Sequence, residues 1–397
     1  MPETLYEYYQ QQEVFSTYGG FTSRRDLEPH ERERRRLFTE KLMLPPRVFA
    51  QARLIEFGPD AGENSLVFAL WGASCTLVEP NPKALPVIRA YFQRFGLSHR
   101  LANLEAVDVA RFSQHPLAME KWDIVDAEGF IYTVKPDSLW IDLFTRLVCN
   151  EGFVILTYIA TVGSLIELLH RAIHARVRQL TGLSALDAAQ AVFATKWNAI
   201  PHKRSLASWV MDMLENPFIR LRYFYDPRAL CQRMDEAGFS LYSSWPPYKD
   251  GLRVQWFKTR MSAEEQLRSQ DEFIARSLLS HLFGRAHYLV RRDPSLEERV
   301  SNLLALTDSL IDTCEPDQVR QCVESLSVLA TVLQTDAVVA QPQEITETLH
   351  TIHSLQSLLD LLMQGKVEEL IAFCNRDHGF IQGWGMTQHF AVFQKRS

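Results

Sequence analysis

The sequence has no long hydrophobic run and few cysteines, and both absences restrict the class of protein. No apolar run approaches the roughly 18 residues that are needed to span a bilayer, so we expect no membrane partner. The six cysteines are scattered without C-x-x-C spacing, which argues against a disulfide framework or a thiolate zinc site. The first residues lack a basic segment followed by an apolar one, so no signal peptide is expected. These absences predict a cytoplasmic location.

An excess of positive charge is also absent. The 397 residues carry a net charge of −6, which disfavours nucleic acid as a general partner and leaves only a local basic patch open. A hydrophobic content of 46% with 23% charged residues is ordinary for a globular protein. At about 150 residues per domain, the length predicts two or three domains.

A short apolar run, a glycine turn and a helix start stand at residues 54–65, which read L-I-E-F-G-P-D-A-G-E-N-S. Such a strand suits a parallel sheet whose carboxyl edge opens onto a crevice. Gly58 and Gly62 would let the backbone approach a ligand closely, since no Cβ intervenes. Glu79 ends the next apolar run, where a carboxylate can bind vicinal ribose hydroxyls. The pattern predicts the nucleoside-binding half of a doubly wound α/β sheet.

The spacing of the glycines argues against a dinucleotide. The pattern G-x-G-x-x-G places a pyrophosphate at a helix amino end, but here Asp60 and Glu63 stand where glycines would be. Two carboxylates would repel the pyrophosphate, which disfavours NAD and FAD. Glu56 inside the strand favours a ligand with a cationic amine and no phosphate. Residues 54–65 resemble motif I of the class I S-adenosylmethionine-dependent methyltransferases, in its E-x-G-P-x-x-G-x-N-S form.

The resemblance to this family continues along the chain in the expected order. Residues 104–109, 122–129, 152–158 and 252–258 resemble the third, fourth, fifth and seventh strands, and residues 230–239 resemble the helix that leads to the sixth. The resemblance implies a Rossmann-like seven-stranded methyltransferase sheet of the α/β class. It also implies S-adenosyl-L-methionine as the cofactor and methyl transfer as the activity.

Three domains are predicted from these segments. Residues 1–45 would form an N-terminal helical cap, residues 46–260 the methyltransferase domain with a helical lid insertion at about 161–225, and residues 261–397 an all-helical C-terminal domain. The last domain would begin at Ser262, a capping residue followed by early acids. The aromatic and glycine-rich residues 380–394 could form a short hairpin. We expect the C-terminal helices to be dispensable for donor binding and to offer a homodimer or partner surface.

The resemblance implies a donor site formed by Glu56, Gly58, Gly62, Glu79, Asp108, Asp126 and Tyr18. Glu56 would receive the donor's ammonium group, although a strand-end acid can also pair with a backbone amide. Glu79 would bind the ribose. Asp108 would contact the adenine amino group, unless it only caps a turn. Tyr18 would contact the donor's carboxylate, unless the segment before the first strand is a solvated surface helix.

The loop after the fourth strand is where acceptor chemistry is expected. Residues 126–132 lack the N-P-P-Y or D-P-P-Y tetrapeptide that holds a planar amide, and they lack the Pro-Cys nucleophile for cytosine. Glu128 is the best candidate for a catalytic acid–base or substrate-orienting group. It could instead hydrogen-bond the donor or cap the following helix.

The insertion contains two histidines at helical spacing. His170 and His174 share one helix face, a spacing that metals use, but neighbouring arginines oppose a cation and no third ligand is evident. We therefore expect no metal, and either substrate contact or a solvated basic face. His202 and Trp209 extend the insertion and could complete an acceptor lid. The alternative is that the tryptophans are core residues and the basic side chains are solvated.

These observations favour methylation of a small molecule on oxygen or nitrogen. One alternative is a protein or tRNA methyltransferase whose C-terminal helices recruit the macromolecule. Another is a regulatory or assembly protein that binds S-adenosylmethionine without turnover. The acceptor itself is set by the shape of a pocket that the sequence does not reveal.

Overall fold

The computed structural model describes residues 4–12, 20–200, 204–250, 261–285, 288–339 and 342–397. Tyr18, His202 and the predicted strand at 252–258 lie outside these residues. The chain divides into two compact units. The first comprises Met1–Tyr158, Pro227–Arg268 and Gln388–Ser397, and the second comprises Ile159–Asp226 and Ser269–Thr387.

The first unit is built on a seven-stranded sheet. Its strands are β1 (Arg53–Phe57), β2 (Ser74–Val78), β3 (Leu101–Glu105), β4 (Trp122–Glu128), β5 (Val148–Ile159), β6 (Phe239–Trp245) and β7 (Gln388–Lys395). They stand in the order β3-β2-β1-β4-β5-β7-β6, with β1 to β5 paired in parallel and β7 antiparallel to β6. The predicted Rossmann-like methyltransferase sheet is confirmed.

The helices follow the strands as in other doubly wound folds. They are α1 (Leu5–Gln10), α2 (Arg24–Arg36), α3 (Glu63–Leu70), α4 (Ala84–Arg94), α5 (Val109–Phe112), α6 (Ser138–Leu147), α7 (Leu165–Thr181), α8 (Ala185–Asn198), α9 (Leu206–Trp209), α10 (Pro227–Glu236), α11 (Ala263–Arg276), α12 (Leu278–Phe283), α13 (Pro294–Ser309), α14 (Pro316–Thr335), α15 (Pro342–Gln364), α16 (Val367–Cys374) and α17 (His378–Gln382). Short 3-10 helices cover Pro46–Val48, Ser98–Arg100, Pro116–Met119, Ile131–Thr133, Thr161–Gly163 and Leu221–Tyr223, and short π-helices cover Leu37–Lys41 and Val210–Leu214.

The seventh strand corrects one sequence prediction. The place beside β6 is taken by β7 from the end of the chain, with Phe239 opposite Lys395 and Trp245 opposite Phe390. The region after residue 261 is therefore not all helical, and residues 380–394 form α17 and one strand instead of a hairpin. Both 252–258 and 388–395 have the composition of a strand, and the sequence prediction chose the one nearer to β6 along the chain. The choice depends on long-range pairing, which local sequence does not encode.

An aromatic cluster packs the segment that follows α2 against α3. Phe49 and Phe68 stack with their ring centroids 5.0 Å apart, and Phe38 meets both rings edge-on at 5.5 Å. These three side chains are fully buried. Helix α2 begins with a capping box in which Ser23 and Asp26 bind each other's backbone N–H groups. The cluster and this helix start fix the position of α2, whose last turns reach the carboxyl edge of the sheet.

The second unit joins the predicted lid to the predicted C-terminal domain. Helix α7 of the insertion packs against α13 and α16, and α8 packs against α16 and α17. Arg220 of the insertion forms ion pairs with Asp308 at 2.9 Å and Asp312 at 2.7 Å. Two-residue strands at Tyr288–Leu289 and Val338–Val339 pair with each other in this unit. The boundary predicted at residue 261 differs from this division, because the insertion and the later helices bury their apolar faces on one another.

Among the residues that the structure describes, no helix is long and apolar enough to cross a membrane.

Candidate functional site

A glycine turn connects β1 to α3 at the carboxyl edge of the sheet. Gly58, Asp60 and Gly62 have φ angles of 65°, 50° and 85°, in the left-handed region. A Cβ at Gly58 would lie 2.8 Å from the ring of Phe130, so a larger residue is disfavoured by contact as well as by backbone conformation. The turn brings main-chain atoms to the sheet edge, with the ring of Phe130 against Gly58. The close approach of a ligand to this turn stays a prediction.

Glu79 follows β2 directly and is held beside this turn. One carboxylate oxygen accepts the Asp60 N–H at 3.0 Å, and the other accepts the Asn81 N–H at 2.7 Å. The residue is 5% exposed. Burial raises the pKa of the Glu79 carboxyl to about 8, against the effect of the two backbone hydrogen bonds. A buried carboxylate at a strand end with fixed orientation can accept hydrogen bonds from a diol.

Glu56 and Asp126 stand opposite each other on β1 and β4. Glu56 accepts a hydrogen bond from the Ser65 hydroxyl at 2.5 Å. Asp126 is fully buried, and neither of its oxygens has a hydrogen-bond partner among the described residues. Burial, with the neighbouring charge of Glu128, raises the pKa of Glu56 to about 7 and that of Asp126 well above its usual range. Two acids in this condition are suited to a cationic ligand, which would favour their charged forms.

Glu128, the predicted catalytic residue, is paired to a buried arginine. The Arg34 guanidinium donates two hydrogen bonds to the Glu128 carboxylate at 3.1 and 2.6 Å. The Asn64 amide donates a third at 3.3 Å. Arg34 also lies over the rings of Phe38 and Phe68, 4.9 and 5.0 Å from their centroids. Sequence reasoning missed Arg34, because the run of arginines at 32–36 is typical of a solvated helix face.

Asp108 adopts the turn-capping role that the sequence left open. It precedes α5 and accepts the Arg111 N–H at 2.8 Å. Its side chain is 40% exposed and forms an ion pair with the Arg111 guanidinium at 3.5 Å. The arrangement leaves a carboxylate oxygen partly accessible at the edge of the sheet.

Tyr6 of α1 lies close to the same edge, whereas the predicted Tyr18 lies outside the described residues. Burial, followed by the charges of Glu79 and Asp108, raises the pKa of the Tyr6 phenol. Helix α1 is held there by Lys83, whose ammonium donates to the Gln10 carbonyl at 2.8 Å. The contact of Tyr18 with the donor stays a prediction, and Tyr6 is a second candidate from the same tyrosine-rich start of the chain.

A buried polar group that the sequence did not reveal lies further along the carboxyl edge. Tyr158 at the end of β5 and Tyr248 after β6 hydrogen-bond through their hydroxyls. The Tyr248 hydroxyl also lies 2.6 Å from Nδ1 of His389 on β7. All three residues are completely buried. Only the pairing of β6 with β7 brings them together, which is why no local motif indicates them.

The predicted acceptor residues of the insertion are interior residues of the second unit. His170 is completely buried, and its ring meets Phe193, Trp209, Phe380 and Trp384. His174 is 1% exposed and binds the Ala185 carbonyl at 2.8 Å. Trp209 is 3% exposed. A solvated basic face is therefore wrong for His170 and His174, and the burial of Trp209 agrees with the alternative that the tryptophans are core residues. Contact of these residues with an acceptor stays a prediction. No group of three metal-binding side chains occurs in the part of the chain that the structure describes.

The comparison with protein families decides the class. A methyltransferase-domain model matches residues 30–244, more than half of the chain. The chain belongs to the class I S-adenosylmethionine-dependent methyltransferases. The predicted family and the predicted cofactor are confirmed. The match covers Arg34, Glu56, Glu79, Asp108, Asp126 and Glu128 but not Tyr6. It ends inside β6, so β7 and the helices after residue 261 lie beyond it.

Several solved structures resemble this methyltransferase at low identity. TehB from Haemophilus influenzae is 12% identical over 36% of this chain and 42% of its own, with a TM-score of 0.25. The N-methyltransferase NodS from Bradyrhizobium japonicum WM9, in complex with S-adenosyl-L-homocysteine, is 20% identical over 33% and 63%, with a TM-score of 0.26. The [4+2]-cyclase SpnF is 10% identical over 93% and 82%, with a TM-score of 0.37. The chain thus spans less than half of TehB. The comparison with curated proteins gives no match.

Replacing Glu79 by Ala should weaken binding of S-adenosylhomocysteine by about 1–3 kcal/mol, the usual loss for hydrogen bonds to a charged group. Glu105 provides a matched control, since it ends the neighbouring strand β3 and pairs with His115 at 3.5 Å. Its replacement by Ala should change the affinity less than twofold. Equilibrium dialysis measures both values, and equal effects of the two substitutions would show that Glu79 does not hold the ribose.

Proposed function

We propose that this chain transfers a methyl group from S-adenosylmethionine to a small molecule, on oxygen or nitrogen. The observation that carries the proposal is the set of buried carboxylates at one sheet edge, Glu56, Glu79 and Asp126, beside the Gly58 turn. Burial raises the pKa of each of these carboxyl groups. A bound cation would favour their ionised forms, whose negative charge would then balance the positive charge of the ligand. The donor brings an ammonium and a sulfonium, and no phosphate.

Each residue of the edge has a proposed task. Glu79, oriented by two backbone N–H groups, accepts hydrogen bonds from the ribose hydroxyls. Neither oxygen of Asp126 has a hydrogen-bond partner within the described part of the chain, and Asp126 with Glu56 receives the cationic amino group of the donor. Asp108 and Tyr6 contact the adenine side. Glu128 forms an ion pair with Arg34, which makes its carboxylate a weaker base. Its proposed task is therefore to orient bound groups and not to accept a proton.

The bound donor supplies an activated methyl group, and the reaction is a nucleophilic displacement at the methyl carbon. An acceptor lone pair forms the new bond to carbon while the carbon–sulfur pair moves onto sulfur, which becomes neutral. The residues of the chain must align the acceptor and exclude water. The acceptor also loses a proton to a base, for which the buried Tyr158, Tyr248 and His389 group is a candidate at the same sheet edge.

A small acceptor is favoured over a macromolecule on two grounds. The chain has a net charge of −6, which opposes binding of the tRNA backbone. The loop at 126–132 lacks the tetrapeptide and the Pro-Cys pair that serve amino groups of adenine or glutamine and cytosine carbon. A protein or tRNA acceptor, or donor binding without turnover, remains the alternative that the following experiment separates.

The test is transfer of a deuterated methyl group from labelled S-adenosylmethionine. The purified chain is incubated with a cell extract separated into small-molecule, tRNA and protein fractions, and the mass shift is followed in each. We expect label in the small-molecule fraction, and less of it with the Glu79→Ala variant at a donor concentration near the Kd of the unaltered chain. Label found only in tRNA or only in protein would contradict a small-molecule acceptor and support the macromolecular alternative. Binding of S-adenosylhomocysteine without label anywhere would contradict catalysis.

Two further properties belong to the proposal. All six cysteines are free thiols, and four of them are buried, which favours a reducing compartment such as the cytoplasm. We also propose a homodimer through the helices that follow residue 261. Light scattering on a gel-filtration column tests the dimer, and a single monomeric mass at all concentrations would overturn it.

A further inference from the structure

Phe130, in the loop after β4, packs on the glycine turn after β1. A Cβ at Gly58 would lie 2.8 Å from Cδ1 and 3.0 Å from Cε1 of the Phe130 ring. Cβ atoms in proteins do not come this close to another side chain, so only glycine at position 58 lets the ring lie there. The Phe130 side chain is partly buried. The ring therefore contacts the main chain of a residue that is predicted to contact the ligand.

The contact lies where the connectivity of the sheet reverses. The strands that follow β1 along the chain, β2 and β3, stand on one side of it, whereas β4 and β5 stand on its other side. Strands β1 and β4 are paired as far as Phe57 and Ala127, and Gly58 and Phe130 lie just beyond these residues. In doubly wound sheets, ligands bind outside the carboxyl ends of the strands at such a reversal. Phe130 therefore stands at the crevice that this fold offers to a ligand.

The loop after β4 fixes the backbone of Phe130. Gly129, with a φ angle of 85°, donates its N–H to the Thr157 carbonyl of β5 at 2.9 Å. The Phe130 carbonyl accepts two hydrogen bonds from Thr133, one from the N–H at 3.0 Å and one from the hydroxyl at 2.9 Å. The next residue, Ile131, is completely buried. Because the backbone is bound on both sides, few positions are open to the ring.

Phe130 lies on the side of the site that is proposed for the amino acid part of the donor. Glu56 of β1 stands opposite Asp126 of β4, and Glu128 ends β4. Glu79, which is proposed for the ribose, follows β2. In the order β2-β1-β4, Glu79 and Phe130 are thus on opposite sides of β1.

An apolar ring at this place has a physical consequence for a charged ligand. Attraction between a cation and a carboxylate grows as water is excluded, because the effective dielectric constant falls. Alanine at position 130 would leave a space beside Gly58 that water can enter. Loss of the ring should therefore weaken the charged contacts of a ligand more than its uncharged ones.

We propose that Phe130 is a positioning residue for the amino acid part of the donor. Its ring, packed on Gly58, holds the turn after β1 to the loop after β4 and forms the apolar boundary of the crevice beside Glu56 and Asp126. The proposal rests on the proposed donor site. It goes beyond that site by giving a task to a side chain that has neither a charge nor a hydrogen-bonding group.

The first test compares two ligands by calorimetry. S-adenosylhomocysteine contains the amino acid part, and 5′-methylthioadenosine keeps the nucleoside and the sulfur without it. Phe130→Ala should bind S-adenosylhomocysteine at least fivefold more weakly and 5′-methylthioadenosine less than twofold more weakly. Phe130→Leu keeps an apolar side chain and should bind both within twofold of the unaltered chain. The control is Phe95→Ala, another partly buried phenylalanine of the first unit, which should change neither affinity more than twofold.

The possible outcomes separate this proposal from the proposed function. Equal weakening of both ligands by Phe130→Ala would assign the ring a role in the fold alone and contradict the proposal. Tighter binding of S-adenosylhomocysteine would show that the ring blocks the crevice, which also contradicts it. In both cases the donor site itself stands. If the unaltered chain binds neither ligand, the proposed donor site fails, and this proposal fails with it.

A second test concerns the contact between the ring and the turn. Gly58→Ala should weaken binding of S-adenosylhomocysteine at least tenfold, because the new Cβ displaces the ring and a φ angle of 65° is strained for alanine. Adding Phe130→Ala removes the overlap, so the double variant should bind at least threefold more tightly than Gly58→Ala. If Gly58→Ala does not fold, the double variant should restore folding, as thermal unfolding measures. A double variant that improves on Gly58→Ala in neither respect would show that the ring does not rest on Gly58.

Discussion

Replacing Arg34 by Met should destabilise the ligand-free protein by about 3–5 kcal/mol at pH 8, as expected when one partner of a buried ion pair is removed. The Arg34 side chain is 8% exposed, and that of Glu128 is 12% exposed. The guanidinium also lowers the cost of charge on Glu56 and Asp126. Methionine keeps an apolar stem against Phe68 but leaves three carboxyl groups facing one another without their cation.

The size of this loss should depend on pH. Burial raises the pKa of Glu56 from 4.5 to about 7, and that of Asp126 also lies well above its usual range. Between pH 4.5 and 7 the folded chain therefore holds more protons than the unfolded chain, so these groups reduce stability as the pH rises through that window. Without Arg34 the folded pKa values rise further. The deficit of the variant should then be largest at pH 8 and shrink toward pH 4.5.

Urea unfolding at pH 5 and pH 8 measures this prediction. The control is Arg35→Met, the next residue of α2, whose side chain is 52% exposed and pairs with Glu31 on the surface. We expect it to cost at most about 0.5 kcal/mol at either pH. The double variant Arg34→Met with Glu128→Gln should recover more than half of the lost stability. A deficit that is the same at both pH values would mean that the carboxyl cluster is not what Arg34 compensates.

A charged side chain introduced at a buried position of β7 should also lower the stability of the protein strongly. Val392 is completely buried and lies opposite Ser243 of β6, in the interior of the sheet. Val392→Asp should destabilise the first unit by more than about 4 kcal/mol, since it buries an unpaired carboxylate. Gln388→Asp, at an exposed position on the same strand, should stay within about 0.5 kcal/mol. Thermal unfolding of the two variants gives the comparison, and similar melting temperatures would contradict the position of β7.

The same strand changes the expectation for truncated chains. A chain that ends at residue 260 lacks β7, which stands between β5 and β6. It should therefore fail to bind S-adenosylhomocysteine, contrary to the sequence prediction that the region from residue 261 is dispensable. A soluble truncated chain that binds the product within tenfold of the full chain would restore the sequence prediction.

The sequence predicted the parts of the site that lie close together along the chain. Glu56, Gly58 and Gly62 are within one strand and turn, and Glu79 ends the next strand, so the periodicity and the spacing place them at one edge. The family resemblance implied a seven-stranded methyltransferase sheet, which the structure confirms, with residues 388–395 in place of 252–258 as the strand beside β6. For the strands β1 and β2 and the turn between them, the local sequence pattern is therefore enough to predict where the residues lie.

Other parts depend on contacts between distant segments. Arg34 meets Glu128 across 94 residues, and a charged run gives no sign of such burial. His170 looked solvated beside arginines, but Phe380 and Trp384, which cover it, lie more than 200 residues further along. Tyr248 and His389 are joined only by the β6–β7 pairing. Tertiary packing, which single-sequence patterns do not contain, decided each case.

The central claim is that Glu56, Glu79 and Asp126, at the carboxyl edge of the sheet, bind a cationic nucleoside donor. Calorimetry tests this claim most directly. S-adenosylmethionine and S-adenosylhomocysteine should each bind with a Kd in the micromolar range, about 6–9 kcal/mol, and NAD should give no heat. Because a cationic ligand favours the ionised forms of Glu56, Glu79 and Asp126, binding should also release protons, seen as a dependence of the heat on the buffer's ionisation enthalpy. Binding of NAD in place of either sulfur compound would contradict the account.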